Sequence, residues 1–299
     1  MRLLTSALLA CMLSPALLHA QTPAALIADP PIDKAHPATM ESFQLPSHGS
    51  QLNALVYIAT GAGPHPTVVL LHGFPGNEKN LDVAQTLRRA GYNVLFFNYR
   101  GSWGSPGQFS FTHCIEDVQS ALAYLRDPAN AARLRVDPAT LILIGHSMGG
   151  FVARYAAAQD PGVVAVGLIS AADMAVDRIE AIPVAERSHA VDPVAKGFAK
   201  EGLAPLACTA HDLAEEAIAH ADTWNVPNLA PKLATRPILV ITSDDGLAPS
   251  NDAFVAALKR SGSTRSTTLH IATDHAYSDR RIAIQTSILQ WLATVEPSK

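Results

Sequence analysis

Residues 141–150 read Leu-Ile-Leu-Ile-Gly-His-Ser-Met-Gly-Gly, and this stretch decides how the rest of the chain is interpreted. Its first five residues are continuously apolar, which is the pattern of a strand buried on both faces. Small residues from Gly149 onward favour a helix, so Ser147 falls on a tight turn between strand and helix. Glycines on both sides let the two elements approach closely. Such a turn lifts the Ser147 hydroxyl above the sheet edge and directs the N–H of Met148 to the same side.

Short apolar strands and helical segments alternate on either side of this turn. The strand candidates are 67–71, 93–99, 163–169, 238–242 and 268–272, and the helical candidates are 81–90, 114–125, 149–158, 253–259 and 281–293. Residues 43–45 and 52–59 flank a turn at 47–50 and predict a hairpin. The pattern therefore predicts an α/β fold: a mainly parallel mixed sheet flanked by helices, with an antiparallel hairpin at its front.

The composition limits the classes of function. The chain has 299 residues, 48% of them hydrophobic, which is enough for a large core. The formal net charge is −4, and the sequence has no long basic run, so nucleic acid is not an expected partner. Cys114 and Cys208 could pair in an oxidising compartment or remain buried thiols, and sequence separation cannot decide between these states. We expect no metal site, because no CxxC or His-rich cluster has ligand spacing.

The N-terminus has the three parts of a secretory signal peptide. Met1-Arg2 is positive, residues 3–18 are mostly apolar and uncharged, and Leu18-His19-Ala20 resembles a cleavage site. We therefore expect residues 1–20 to be removed and the protein to be secreted or periplasmic, without stable membrane insertion. A membrane anchor, or a lipid anchor at Cys11, remains an alternative. Residues 21–40 are proline-rich and predict a flexible lead-in to a domain over residues 41–299.

Residues 173–234 interrupt the alternation, because they contain helical pieces and prolines but no clear apolar strand. We interpret this insertion as a helical cap or lid over the carboxyl edge of the sheet. An extended surface excursion is the alternative. Ile179, Ile182, Trp224 and Val226 could line a pocket there, although Trp224 could equally be a core anchor.

A second motif identifies a family resemblance. Residues 70–76 read Leu-Leu-His-Gly-Phe-Pro-Gly and follow a predicted strand. Together with the Gly-His-Ser-Met-Gly turn, this loop resembles the α/β-hydrolase family over most of the chain from about residue 41 onward. The resemblance implies that Ser147 is a nucleophile and that the N–H groups of Phe74 and Met148 form an oxyanion hole. A third stretch, 98–105 with Phe109, is similar to a loop of prolyl-oligopeptidase-like members, and we expect Arg100 in it to be structural.

The family places its residues in the chain order serine, acid, histidine. His275 follows the last predicted strand and precedes the last helix, which resembles the family's catalytic-histidine loop. His189, His211 and His220 fall in the insertion, and His270 lies within a strand.

For the acid, the resemblance selects Asp245, four residues before Pro249 in the loop after strand 238–242. Asp244 remains possible because sequence does not show side-chain rotamers. Asp173 follows the preceding strand, where some members of the family place the acid. Asp274, beside the histidine, is interpreted as a loop-capping residue.

The expected activity is hydrolysis of carboxylic esters through an acyl-enzyme, with a small-molecule or acyl-ester substrate and no cofactor. A serine peptidase of the prolyl-oligopeptidase-like type is one alternative, and a lyase or cofactor-free haloperoxidase is another. A noncatalytic binding protein on the same fold is a different class, since fold alone does not determine function.

Overall fold

The computed structural model describes residues 22–175, 179 and 182–295, and within them eight strands form one sheet. The strands are β1 (Thr39–Ser47), β2 (Ser50–Ile58), β3 (His65–Leu71), β4 (Asn93–Phe97), β5 (Val136–His146), β6 (Val163–Ile169), β7 (Ile238–Thr242) and β8 (Ser266–His270). Their order in the sheet is β1-β2-β4-β3-β5-β6-β7-β8.

The sheet is mixed, as predicted. The hairpin strand β2 pairs antiparallel with both β1 and β4, whereas all the other pairs are parallel. The carboxyl ends of the parallel strands β3 to β8 therefore lie along one edge of the sheet. In open parallel sheets, that edge is where ligands bind.

Helices cover both faces of the sheet and complete an α/β-hydrolase fold. They are α1 (Ala24–Ile27), α2 (Leu81–Arg89), α3 (Phe111–Arg126), α4 (Pro128–Leu134), α5 (Met148–Gln159), α6 (Val191–Ala199), α7 (Ala210–Ala219), α8 (Ala230–Leu233), α9 (Ala248–Arg260) and α10 (Arg281–Leu292). Apolar side chains of α3, α5 and α9 pack in a core on one face of the sheet. Those of α2 and α10 pack in a second core on the other face.

Several element boundaries differ from the predicted ones. Helix α9 begins at Ala248 rather than at 253, because Pro249 fits the first turn of a helix. Strand β8 spans 266–270 rather than 268–272, since its register is set by pairing with β7. The short helix α4 was not predicted, although Asp127 caps it by accepting hydrogen bonds from the N–H groups of Ala129 and Asn130.

The lead-in rests on the domain over its described part. Arg89 donates a hydrogen bond to the carbonyl of Ala25 (2.6 Å), and Gly61 N donates to the carbonyl of His36 (2.9 Å). The predicted signal segment, residues 1–20, lies outside the described residues. Within the described ranges, no helix combines the length and apolar character needed to cross a bilayer.

The insertion is helical in its described residues, in agreement with the predicted cap. Helices α6 and α7 pack against each other, and the cap joins the core on the α3 and α5 face. The carbonyl of Pro205 accepts the N–H of Trp103 (2.8 Å), and Ala207 N donates to the carbonyl of Gly101 (2.7 Å). Glu216 of α7 accepts the N–H groups of Phe111 and Thr112 at the start of α3 (2.9 and 2.8 Å). A carboxylate at a helix N-terminus is stabilising, so this contact fastens the cap to the sheet layer.

Candidate active site

Ser147 is the single residue between β5 and α5 and has a strained backbone. Its φ and ψ are 56° and −124°, a conformation that non-glycine residues rarely adopt. The strain is held by hydrogen bonds on both sides: Ser147 N donates to the carbonyl of Ile169 (2.9 Å), and Ser147 O accepts the N–H groups of Gly150 and Ala172 (2.9 and 3.0 Å). This turn has the geometry of a nucleophile elbow.

Glycine is required where other backbone segments pass the turn. A Cβ added to Gly145 would lie 2.0 Å from the carbonyl oxygen of Gly149, and one on Gly149 would lie 2.2 Å from that of Leu71. A Cβ on Gly73 would lie 2.9 Å from Cβ of Ser147 and 3.4 Å from its Oγ. The loop after β3 therefore packs directly on the serine.

Gly73→Ala is expected to lower kcat/KM on an ester by about 100-fold, because the new methyl group displaces Ser147 or the loop, and misplacement by an ångström costs about that factor. Steady-state kinetics with a p-nitrophenyl ester measure the effect. Gly262→Ala is the control: a Cβ at that exposed position meets no atom within 4 Å, and the strain at its φ of 86° arises outside the cavity lining. This strain is expected to cost stability and to leave kcat/KM unchanged. Equal activity of the two variants would contradict the packing described.

The structure brings His275 and Asp245 together. His275 Nδ1 lies 2.7 Å from Asp245 Oδ2, and Asp245 Oδ1 accepts the N–H of Leu247 (3.0 Å). A carboxylate only accepts hydrogen bonds, so Nδ1 carries the proton and Nε2 of His275 is left as an acceptor. Burial alone would raise the pKa of Asp245, but hydrogen bonds from His275, Ser170 and its other neighbours hold it well below the usual range. Asp245 is therefore an anion that orients an imidazole.

The two alternative acids lie elsewhere. Asp244 is exposed and lies 3.0 Å from His270 Nε2, outside the pair described above. Asp173 is buried and accepts the N–H of Ala175 (3.2 Å). Asp274 accepts the N–H of Ser278 (2.8 Å), which agrees with its interpretation as a capping residue.

His146 fixes the backbone of the histidine loop. Its Nε2 lies 2.8 Å from the carbonyl oxygen of His275, and the two rings are 4.7 Å apart. Burial lowers the pKa of His146 to about 4, and the charge of His275 acts in the same direction. A neutral His146 therefore donates to the carbonyl of His275.

Ser147, His146 and His275 line one cavity with the loop after β3. The cavity has a volume of 190 Å³, and its remaining lining residues are Gly73, Phe74, Pro75, Gly76, Asn77, Glu78 and Ala276. Within the described residues, no hydrogen bond joins Ser147 Oγ to His275. Catalytic hydrogen bonds of this kind often tighten only when substrate binds.

The two N–H groups that the sequence resemblance predicts for an oxyanion hole belong to the loop and the helix that border Ser147. Phe74 lines the cavity, and Met148 is the first residue of α5. Among the residues that the structure describes, neither amide donates a hydrogen bond, so both N–H groups are available. Trp103 Nε1 holds the loop by donating to the carbonyl of Pro75 (2.8 Å).

Arg100 lies away from the cavity, in a buried ion pair. Its Nε lies 2.6 Å from Asp117 Oδ1, and Asp117 also accepts a hydrogen bond from Ser47 (2.6 Å). Both charged side chains are almost fully buried. These contacts agree with the structural role expected from the sequence.

Arg100→Met is expected to lower the free energy of unfolding by about 3 kcal/mol, because it leaves the Asp117 carboxylate buried without its cation. The activity per folded molecule is expected to stay at the wild-type level. Urea denaturation followed by circular dichroism measures the loss. The matched control is Arg133→Met, which removes an exposed pair with Glu41 and is expected to cost less than about 1 kcal/mol.

The residues predicted to line a pocket in the insertion are mostly buried. Ile179 and Val226 are 1% exposed, Trp224 is 5% exposed and Ile182 is half-buried. Trp224 packs on the rings of Phe111 and Phe151, with centroids 6.1 and 5.0 Å away. Trp224 is therefore a core anchor, which was one of the two possibilities that the sequence left open.

The cap instead contacts the site through a phenylalanine that sequence reasoning missed. Phe198 of α6 lies 5.8 Å from the ring of Phe74 and 5.6 Å from that of Phe111. Its position relative to the loop depends on packing between distant segments, and no local pattern marks it.

The described residues contain neither a disulfide bond nor a cluster of potential metal ligands. Cys114 is buried, Cys208 is half-buried, and both are free thiols. Across residues 22–175, 179 and 182–295, no group of three or more His, Cys, Asp or Glu side chains is arranged to hold a metal ion.

The order of the sheet, the strained serine turn after β5 and the histidine loop after β8 define an α/β-hydrolase-fold protein, and this chain has that fold. Residues 66–191 match the family model described as the alpha/beta hydrolase fold.

Similar proteins of known sequence match only part of the chain. An uncharacterized protein of Mycobacterium tuberculosis is 32% identical over 114 residues, which are 38% of this chain and 39% of that protein. The sn-1-specific diacylglycerol lipase ABHD11 of Xenopus tropicalis is 31% identical over 121 residues, 40% of this chain and 35% of the lipase. The matched region thus spans less than half the length of these curated relatives.

Solved structures resemble the chain over most of its length. EstE1, a thermophilic carboxylesterase cloned from a metagenomic library, superimposes with a TM-score of 0.64 at 22% identity, over 92% of this chain and 93% of the esterase. The acylaminoacyl peptidase of Pyrococcus horikoshii gives a TM-score of 0.62 at 15% identity, over 88% of this chain and 42% of the peptidase. At these identities, the likeness shows the fold.

Proposed function

We propose that the protein is a serine hydrolase that cleaves carboxylic esters through an acyl-enzyme. The observation that carries the proposal is that His275, paired with Asp245 at an N–O distance of 2.7 Å, lines the same cavity as the strained Ser147. A serine hydroxyl is a weak nucleophile by itself and needs a base that is in turn oriented by a third group.

In the first half-reaction, Ser147 Oγ attacks the ester carbonyl and His275 Nε2 takes its proton. Asp245 stabilises the imidazolium that forms. The oxyanion of the tetrahedral intermediate accepts hydrogen bonds from the N–H groups of Phe74 and Met148. When the C–O bond to the alcohol breaks, His275 returns its proton to the departing alkoxide, and Ser147 remains acylated.

In the second half-reaction, water takes the place of the alcohol. His275 takes a proton from the water as its oxygen attacks the acyl carbonyl. Collapse of the second intermediate expels Ser147, which recovers its proton from His275, and the carboxylic acid leaves. Each step needs only groups of this chain and water.

A peptidase of the prolyl-oligopeptidase-like type is the second candidate, and Glu78 favours it. This carboxylate borders the cavity, where it could bind a substrate ammonium group. However, Glu78 already accepts the N–H of Asn80 (2.5 Å) and lies 3.9 Å from the guanidinium of Arg281. Its charge is thereby partly compensated, so we favour the ester.

The test compares kcat/KM on p-nitrophenyl butyrate with that on alanine p-nitroanilide, using Ser147→Ala as the blank. We expect turnover of the ester alone, with none by the variant. Comparable cleavage of the anilide would contradict the esterase proposal and support the peptidase. Cleavage of neither substrate by protein that also fails to react with a fluorophosphonate would support a noncatalytic role.

A further inference from the structure

Three buried hydroxyl groups meet beside the Asp245 carboxylate, and the proposed mechanism does not use them. They belong to Ser170, Ser243 and Tyr277, named here the hydroxyl cluster, and each is at most 2% exposed. Each lies close in sequence to a residue that belongs to the site or supports it. Ser170 comes directly after Ile169, whose carbonyl holds Ser147 N, while Ser243 precedes Asp245 by two residues and Tyr277 follows His275 by two.

The distances make the cluster one connected unit. Ser170 Oγ lies 3.0 Å from Ser243 Oγ and 2.9 Å from the hydroxyl of Tyr277. The Tyr277 hydroxyl is also 3.4 Å from the carbonyl of Ile241 in β7. The cluster thus joins the ends of β6 and β7 to the histidine loop.

Two of the three hydroxyls, those of Ser170 and Ser243, interact with the Asp245 carboxylate. Hydrogen bonds from Ser170 and Ser243 are among the contacts that keep Asp245 ionised, and a carboxylate can only accept them. Burial raises the pKa of Tyr277 to about 12, so this hydroxyl stays protonated. With the Ser170 proton directed to Asp245, Tyr277 is the donor in the bond between them.

Two of the three cluster residues, like Ser147, have a positive φ. Ser170 has a φ of 41° and Tyr277 a φ of 57°, both in the left-handed region. A bulky residue such as tyrosine is a genuine outlier there, and such strain is concentrated at functional sites. Glycine would relieve the strain at either position but would remove the hydroxyl.

We propose that Ser170, Ser243 and Tyr277 are positioning residues for the Asp245–His275 pair: they fix the orientation of the carboxylate and share its negative charge. This inference rests on the proposed function. Removing a hydroxyl leaves more charge on the Asp245 oxygen that faces His275, and the protonated imidazole is stabilised. His275 must be neutral to accept the proton of Ser147. In such a variant the acid limb of the pH–rate profile, where activity falls as His275 becomes protonated, therefore lies at a higher pH.

Other charged and titratable groups face this pair and stay unchanged in the test. They are His146 against the His275 ring, Glu78 across the cavity, Asp274 beside His275, and Arg281, which donates to the carbonyl of Ala276 (2.8 Å). A difference in the position of the acid limb between variants is therefore caused by the change in the hydroxyl cluster.

The experiment measures kcat/KM against pH for Tyr277→Phe, Ser170→Ala and Ser243→Ala, with active sites counted by fluorophosphonate labelling. Each variant is expected to lose three- to tenfold in kcat, which is about the worth of one hydrogen bond, with KM unchanged. The acid limb is expected to move upward by about half a pH unit. Tyr155→Phe is the matched control, because the hydroxyl of this buried tyrosine likewise lies 3.4 Å from a main-chain carbonyl, that of Thr223. This variant is expected to leave the acid limb in place.

If the limb of all three variants coincides with that of Tyr155→Phe, the cluster is structural and the inference is wrong. A limb that moves downward overturns it as well. Tyr277→Phe removes a single oxygen atom, so it decides the question even if a serine variant fails to fold. Failure of the proposed function is recognised separately, since the wild-type activity would then survive Ser147→Ala.

Discussion

Ser147→Ala is expected to lower kcat/KM on a p-nitrophenyl ester by about 10⁵-fold or more, because removal of the nucleophile of a serine triad costs about as much as removal of the whole triad. The residual rate comes from the oxyanion donors and binding alone. The backbone N–H of Ser147 donates to Ile169, and alanine retains that bond. The loss is therefore expected entirely in chemistry, with an unchanged circular dichroism spectrum.

The control for this variant is Ser261→Ala, at an exposed serine that follows α9. It is expected to keep wild-type kinetics and to react with a fluorophosphonate, whereas Ser147→Ala is expected not to react. Full activity in folded Ser147→Ala protein would falsify both the nucleophile and the ester mechanism.

Asp245→Asn is expected to lower kcat by about 10⁴-fold, because the amide stabilises the wrong tautomer of the histidine and cannot balance an imidazolium. KM is expected to change little, since the Asp245 side chain is 5% exposed and lies behind His275. The measurement is steady-state kinetics on the same ester at a pH where the wild type is fully active.

The neighbouring residue provides a matched comparison. Asp244→Asn makes the same chemical change one position earlier, at an exposed carboxylate that contacts His270. Activity within twofold of the wild type is expected. The reverse outcome, a loss in Asp244→Asn with Asp245→Asn active, would assign the acid to the other aspartate and overturn the pairing on which the mechanism rests.

The parts of the site that could be predicted from sequence are those encoded locally. The serine turn needs a strand, three glycines and a helix in sequence order, and residues 141–150 contain all of them. The strands could be recognised because burial on both faces requires continuous apolar runs. The strand boundaries were less certain, as in β8, because pairing with β7 sets its ends.

The choice between Asp244 and Asp245 shows where sequence stops. Adjacent residues in a loop point in different directions, and only the folded chain shows that Asp245 faces His275. The hydroxyl cluster was not predictable for a related reason. Ser170 and Tyr277 are 107 residues apart, and their hydroxyls meet only because the end of β6 lies beside the histidine loop. The contact of Phe198 with Phe74 was not predictable either, because it forms only when the insertion packs against the loop after β3.

The contact between Phe198 and Phe74 bears on how a hydrolase of the proposed kind could be re-engineered. Exchanging the cap is an obvious way to alter which molecules are accepted, as the insertion is a self-contained stretch of sequence. In this protein, however, the ring of Phe198 packs against that of Phe74, whose amide is proposed to bind the oxyanion, and Glu216 caps the N-terminus of α3. Under the proposed mechanism, a change of cap is therefore expected to alter the rate as well as the selectivity, unless the new cap reproduces both contacts.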